Sequence, residues 1–447
     1  MRQQRLFSTL LTAGLLGAFV LGLSFPEVRA GVTHGQQLAQ GGLPESYASL
    51  HLPPGDHRGL EPLGAYYRTL VYLKDRYSGD LESDSKLTYA AIRGMLRPLD
   101  DPYTRFLDPE MYQEMRERNS GEFVGIGAQL EPELTKDGFV RIHKPLTGTP
   151  ADKAGLKPFD VILKVDGVST QAKDRGNDQR HVDKVVKMIR GKADTPVRLT
   201  IRRHALAHPL EVKIIREPVE FEIVESKMLE GKVGLIWLGE FNELTDTKID
   251  RALTALEAQG MRALILDLRG NPGGTLDAAQ EVASRFLPSG GKVVIIVEKG
   301  GDPETRKVLE QKHNHRFNQP GHMIPIVVLV NRTSASASEI VSGAIKDYQA
   351  GTIMGTQTYG KGLVQTVVPL RGGSAIAITT ARYLTPKGND INRGKDRRGG
   401  ITPDVLVEAT EEDYLKQNDV QLKKALDLLH EKIGDKHPVP AQVSRRR

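Results

Sequence analysis

The sequence predicts an α/β fold preceded by a helical segment and interrupted by a smaller β-rich domain, on three observations. Beyond Glu217 near-continuous apolar runs alternate with helical stretches. Between about Glu122 and Arg216 short strands surround one helix, and from Leu63 apolar residues recur at three- and four-residue spacings. A chain of 447 residues has room for two or three such domains.

The helical segment, residues 63–121, rests on Tyr66, Leu70, Leu73 and Tyr77, then Leu87, Ala91 and Met95, and is broken by Asp101-Pro102-Tyr103. In residues 122–216 the strands expected are Phe123–Leu130, Gly138–His143, Asp160–Val165 and Val197–Arg202, with Val182, Val185, Val186 and Ile189 on one helical face. That alternation suits a small, partly open β-barrel. Residues 217–408 carry Val233–Leu238, Ala263–Leu268, Val293–Val297, Ile326–Val330 and Ile376–Thr380, with a helix over Thr245–Gln259. Strands apolar on both faces require helices on both sides of their sheet. Residues 409–447 read as a C-terminal helix and a basic tail ending in Arg445, Arg446 and Arg447.

At the other end, Arg2 and Arg5 precede an uncharged apolar run from Leu6 to Phe25, and Val28-Arg29-Ala30 ends on a small residue. Residues 1–30 are therefore expected to be a signal peptide, or an N-terminal anchor, since the run approaches the roughly 20 residues that span a bilayer. Export follows, to the periplasm or another extracytoplasmic lumen, with membrane association through this segment left open. Residues 31–62, rich in Gly, Pro, Gln and Ser, read as a flexible lead-in.

Composition removes several functions. The absence of cysteine excludes a thiol nucleophile, a redox pair and a thiolate metal site. Net charge is +6, but the charges are interspersed, and a single Trp with 5% aromatics argues against nucleic-acid binding. The twelve histidines show no metal-ligand spacing, His313 and His315 included, so neither metal nor organic cofactor is expected.

Two strand ends carry chemistry. Leu264-Ile265-Leu266-Asp267-Leu268-Arg269 runs into Gly270-Asn271-Pro272-Gly273-Gly274, a turn whose amides could hold an oxyanion. Pro272 stands where a trypsin-like string would have its serine, which excludes that reading. Val327-Val328-Leu329-Val330-Asn331 leads into Arg332-Thr333-Ser334-Ala335-Ser336-Ala337-Ser338-Glu339-Ile340 at the start of an apolar-faced helix. A serine there gains free amides and a positive local potential. Ser336-x-x-Glu339 is equally a capping box, and Ser334 or Ser338 could be the cap. Lys361, between Gly360 and Gly362, could serve a serine as base if burial keeps it neutral. In the β-rich domain, Val124-Gly125-Ile126-Gly127 could point successive amides at a carboxylate, with His181 at the opening of the helix nearby.

Together these strings resemble the C-terminal processing peptidases, or tail-specific proteases, over about Leu63 to Val407. The resemblance includes a PDZ domain at residues 122–216 and Gly400-Ile401-Thr402-Pro403-Asp404-Val405. It implies a crotonase-like protease core and a serine endopeptidase cleaving near protein C-termini. Ser336 would be its nucleophile, Lys361 its base and Gln365 the residue orienting the lysine. The amide of Ala337, with that of Gly273 or Gly274, would form the oxyanion hole. Extended chain would put Lys361 and Gln365 roughly 13 Å apart, so either Gly360 and Gly362 permit a bend or Gln365 acts on something else. Asp347 is a weaker catalytic candidate, and Glu339 reads as a cap partner. The expected partners are C-terminal tails of protein substrates, with an activating adaptor and homo-oligomerisation left open. Other classes considered are an inactive PDZ scaffold and a crotonase-type acyl-transfer enzyme.

Overall fold

The computed structural model describes residues 61–81, 83–172, 178–204, 206–298, 300, 307–310, 312, 324–394, 399–416 and 418–434. The expected leader, nearly all of the lead-in, His313, His315 and the terminal arginines lie outside them. The chain divides into two compact units at Phe106/Leu107.

In the first unit, helices α1 (Glu61–Arg76) and α2 (Asp84–Leu96) bear out the apolar spacing. Lys74 pairs with Asp84 at 2.5 Å, and Tyr89 stacks tilted on Phe106 with centroids 4.9 Å apart. Strand β1 (Arg105–Leu107) follows the Asp101-Pro102-Tyr103 break.

The second unit opens with α3 (Pro109–Ser120), whose first turn is capped by the Asp108 carboxylate accepting from the Met111 amide at 3.0 Å. The next strands are β2 (Glu122–Gly125), β3 (Ala128–Leu130) and β4 (Val140–Pro145), then α4 (Pro150–Lys153). After these come β5 (Val161–Val165), β6 (Val168–Ser169), α5 (Asp178–Ile189), β7 (Pro196–Arg202) and β8 (Leu210–Ile215). They form an antiparallel sheet in the order β3-β4-β5-β7-β8, with β6 on β5. Val182, Val185 and Ile189 of α5 are buried with Ile142, Ile162, Leu199 and Ile201 in this domain's own core.

The single strand expected over Phe123–Leu130 is two strands. The chain turns at Ile126, whose side chain is buried in the domain core, so β2 pairs with β9 (Glu217–Glu220) while β3 pairs with β4. Chain entry and exit are adjacent, because the Phe221 amide donates to the Gly121 carbonyl at 2.8 Å. The domain is thus an insertion through one point of the core.

The core comprises β10 (Val224–Met228), β11 (Val233–Leu238), α6 (Thr245–Ala258), β12 (Ala263–Asp267), α7 (Leu276–Ser284), β13 (Lys292–Glu298) and β14 (Lys307–Glu310). It continues through β15 (Ile326–Val330), α8 (Ala337–Asp347), β16 (Thr352–Gly355), β17 (Leu363–Pro369), β18 (Ala375–Leu384) and β19 (Val405–Leu406). Helices α9 (Glu411–Leu415) and α10 (Val420–Lys432) complete it. The main sheet runs β10-β11-β12-β15-β16-β19 and is parallel from β11 to β19. Alternation along its strands sends Leu264, Leu266, Val328 and Val330 toward α6, α7 and α8, and Ile265, Val327 and Leu329 toward Ala425 and Leu429 of α10. A second, antiparallel sheet joins β13, β14, β17 and β18. Strands β12 and β15 are neighbours, so the two loops singled out in the sequence leave the sheet side by side at its carboxyl edge.

Candidate active site

The three serines after β15 do different work. Ser334 Oγ donates to the Leu268 carbonyl at 2.8 Å and accepts from the Asn331 amide, tying β15 to β12. Ser338 Oγ donates to the Asn271 carbonyl at 3.0 Å, holding helix α8 against the glycine turn. Ser336 Oγ is buried and has no hydrogen-bond partner. At the helix start Glu339 accepts the Ser336 amide at 2.8 Å, and its own amide donates to the Ser336 carbonyl at 2.8 Å. Ser336 also takes φ 58°, ψ −113°, a strained conformation for a non-glycine residue that costs of order 1–3 kcal/mol.

Facing it is the glycine turn after β12. The Asn271 side chain donates to the Leu238 carbonyl and accepts from the Gly273 amide at 2.8 Å, which fixes the loop. Gly273 has φ 105°, and a methyl group there would lie 2.7 Å from Ser336 Cβ and 3.0 Å from the Ala337 nitrogen. The loop therefore reaches Ser336 only because Gly273 lacks a side chain. Arg269 secures the turn from behind, bonded to Asp267 at 2.7 Å and, through both terminal nitrogens, to Asp419 at 2.7 and 2.8 Å.

Lys361 is 4% exposed and sits beside the helix start because Glu339 gathers both segments. One oxygen of this buried carboxylate accepts the amides of Ser336 and Lys361, and the other accepts the Gly360 amide at 2.7 Å and the Thr358 hydroxyl at 2.5 Å. Burial pushes the Glu339 carboxyl up, while the Thr358 hydroxyl and the three amides pull the other way. Gly360 takes φ 88°, which turns the chain just ahead of Lys361 but lies outside the Lys361–Gln365 stretch and leaves that span unchanged. Beyond it, β17 carries a register irregularity at Val364/Gln365, and both polar atoms of Gln365 are buried without a hydrogen-bond partner.

Other candidates lie elsewhere. Asp347 ends α8 about 15 Å along the helix axis from Ser336, where it accepts the Lys387 amide at 2.8 Å. In the inserted domain, the carbonyls of Ile126 and Gly127 are held by the amides of Ala151 and Leu146. Val124 and Gly125 lie on β2, and His181 Nε2 is 2.7 Å from the Thr170 carbonyl. Sequence reasoning missed Thr358, Tyr383 and Asp419 and gave Arg269 no role of its own; Glu339 is the cap partner expected, accepting the Ser336 amide, and in addition takes Thr358, Gly360 and Lys361. The signal for Glu339 was an acidic residue beside the apolar face of Ile340, Val341 and Ala344. Among the described residues no group of three or more His, Asp or Glu is placed to hold a metal ion.

A serine at a strained helix entry, a buried lysine segment and an apposed glycine turn thus lie together in the core, in a protein with an inserted β-rich domain. Residues 232–407 match peptidase family S41 and residues 141–203 match the PDZ domain. A probable CtpA-like serine protease of Staphylococcus aureus (strain bovine RF122 / ET3-1) is 40% identical over 327 residues, 73% of this chain and 61% of that protein. One from Staphylococcus epidermidis is 38% identical over 348 residues, 78% and 65% of the two chains. The chain thus spans under two thirds of the length of these relatives. A solved photosystem II D1 C-terminal processing protease is 33% identical, covering 77% of this chain and 86% of its own, with a TM-score of 0.42. Residues 232–407 thus carry a peptidase family S41 domain, and the relatives that match the chain are named as serine proteases.

Proposed function

We propose that the protein is a C-terminal processing endopeptidase with a crotonase-like core, working by a Ser-Lys mechanism on exported proteins whose tails the PDZ domain binds. The observation that carries this reading is the buried, unbonded hydroxyl of Ser336, whose backbone amide is held together with that of Lys361 on one carboxylate. Ser336 would attack the scissile carbonyl, and Lys361 would take its proton and deliver it to the leaving amine; water would then release the acyl-enzyme. Burial disfavours an ammonium, which suits a lysine acting as base.

The oxyanion hole is assigned to the Ala337 amide at the α8 N-terminus and to the glycine turn. Because the Gly273 amide is bonded to Asn271, Gly274 is favoured over Gly273 as second donor. Gln365, with unsatisfied buried polar atoms, is assigned to orienting Lys361. Tail recognition is assigned to the loop Val124, Gly125, Ile126, Gly127, where a terminal carboxylate would meet backbone amides and the peptide would extend the β3 edge. His181 would border the groove from α5, although its ring is already engaged with Thr170. Export rests on Arg2, Arg5 and the apolar run Leu6–Phe25.

The test compares protein starting at Gly31 with Ser336→Ala and Lys361→Ala on reporters ending in apolar or charged residues, followed by mass spectrometry across pH. Cleavage of the apolar-tailed reporter by the unsubstituted protein alone, faster toward alkaline pH, is expected. Cleavage surviving in either variant would move the active site elsewhere. Tail binding without cleavage would leave the protein a scaffold.

A further inference from the structure

Both catalytic candidates are held at both sides of their backbone. Glu339 gathers the amides of Ser336 and Lys361, as described above; on the other side, the hydroxyl of Tyr383 lies 3.1 Å from the Ser336 carbonyl oxygen and closer still to that of Lys361. A phenol has one proton to donate. The Ser336 carbonyl already accepts the amides of Glu339 and Ile340 at 2.8 and 3.0 Å, so the shorter contact, to Lys361, takes the proton.

Lys361 needs such a hold. Its neighbours on both sides are glycines, whose backbone torsions are the least restricted of any residue, and a rotation of either peptide would swing the lysine away from the serine. Tyr383 can supply the constraint because it is itself rigid. It is 1% exposed, lies within the long strand β18 paired with β13 and β17, and its amide donates to the Gly362 carbonyl at 2.9 Å. Gly362 and Lys361 are therefore bonded by one residue of the second sheet, while Ser336 belongs to the first.

We propose that Tyr383 is a positioning residue for the lysine base: its hydroxyl fixes the Lys361 peptide and so sets the approach of the side-chain amine to Ser336. This rests on Ser336 and Lys361 being the catalytic pair. Tyr383→Phe removes the hydroxyl and leaves the ring packed and the Glu339 contacts in place. The matched control is Tyr348→Phe, which removes a hydroxyl that accepts the Lys292 amide at 2.7 Å at the far end of α8.

The experiment measures labelling of Ser336 by a fluorophosphonate, reporter kcat and KM, the pH–rate profile and thermal stability, for the wild type, both Tyr→Phe variants, Ser336→Ala and Lys361→Ala. For Tyr383→Phe, kcat and labelling rate should fall roughly tenfold to a hundredfold with KM held. The midpoint of the pH–rate profile should move as well, while Tyr348→Phe changes neither. An unaltered profile and labelling rate in Tyr383→Phe, or a loss of rate that only follows lowered stability and is matched by Tyr348→Phe, overturns the proposal alone. Labelling or cleavage that persists in Ser336→Ala, or full activity in Lys361→Ala, overturns the catalytic pair and this inference with it.

Discussion

At Gly273 one absent carbon keeps the glycine turn within reach of Ser336. A methyl group would meet Ser336 Cβ and the Ala335 carbonyl at 2.7 Å, and the backbone already stands at φ 105°, where an L side chain is strained. Gly273→Ala should therefore lower kcat about a hundredfold or more, by displacing the donors that face the oxyanion. Initial rates measured beside a melting curve check this, and near-wild-type rates would place the oxyanion hole elsewhere. Glu339 is a second single-residue decision. Four donors converge on it, so Glu339→Gln should sharply reduce activity, because an amide nitrogen would face backbone N–H groups that it cannot accept.

Among the elements, α10 closes the sheet on the side away from α8 and is tied to the active-site turn through Arg269. Burial pushes the Asp419 carboxyl up, but the hydrogen bond and charge of Arg269 outweigh it and leave the carboxyl below its usual range. A depressed carboxyl contributes stability that is present above its unfolded value and is lost as pH falls through the folded one. The contribution should therefore fade below about pH 4. Asp419→Asn should lower stability near neutral pH and flatten the acid limb of the stability curve, as urea unfolding at a series of pH values would read. An unchanged acid limb would mean that the Arg269 pair adds nothing to folding.

At the scale of the whole second unit, the inserted domain is linked to the glycine turn through α3 and the segment after β11. Arg190 and Lys187 at the end of α5 pair with Glu117 and Glu110 of α3. The Asn119 carbonyl of α3 accepts the Glu243 amide at 2.9 Å, and the Phe241 amide donates to the Gly273 carbonyl at 2.9 Å. These contacts favour the proposal that tail binding aligns the site, which requires an arrangement with two states biased by the peptide. Because the domain joins the core at adjacent points, deleting residues 122–216 should leave serine labelling measurable and abolish discrimination between apolar and charged tails. Selective cleavage persisting after the deletion would mean that the tail is read by the core.

By itself the sequence determined the elements whose signal is local. Strands Val233–Leu238 and Ile326–Val330 stand at their expected bounds, and α6 ends one residue before its expected end, because apolar runs and helical spacing are written in neighbouring residues. The same holds for the serine string, the glycine turn and Lys361, which could be singled out by chemistry at strand ends. Strands β8, β10, β16 and β19 were missed, since short strands acquire their identity from the partner they pair with. Only the tertiary structure decided which of three serines keeps an unbonded hydroxyl, that Asp347 lies far down the helix, and that Glu339, Thr358 and Tyr383 converge on the serine and lysine segments. Those outcomes depend on residues up to 67 positions apart being brought within hydrogen-bond distance, and hydrogen bonds acting over about 3 Å leave no periodic trace along a chain.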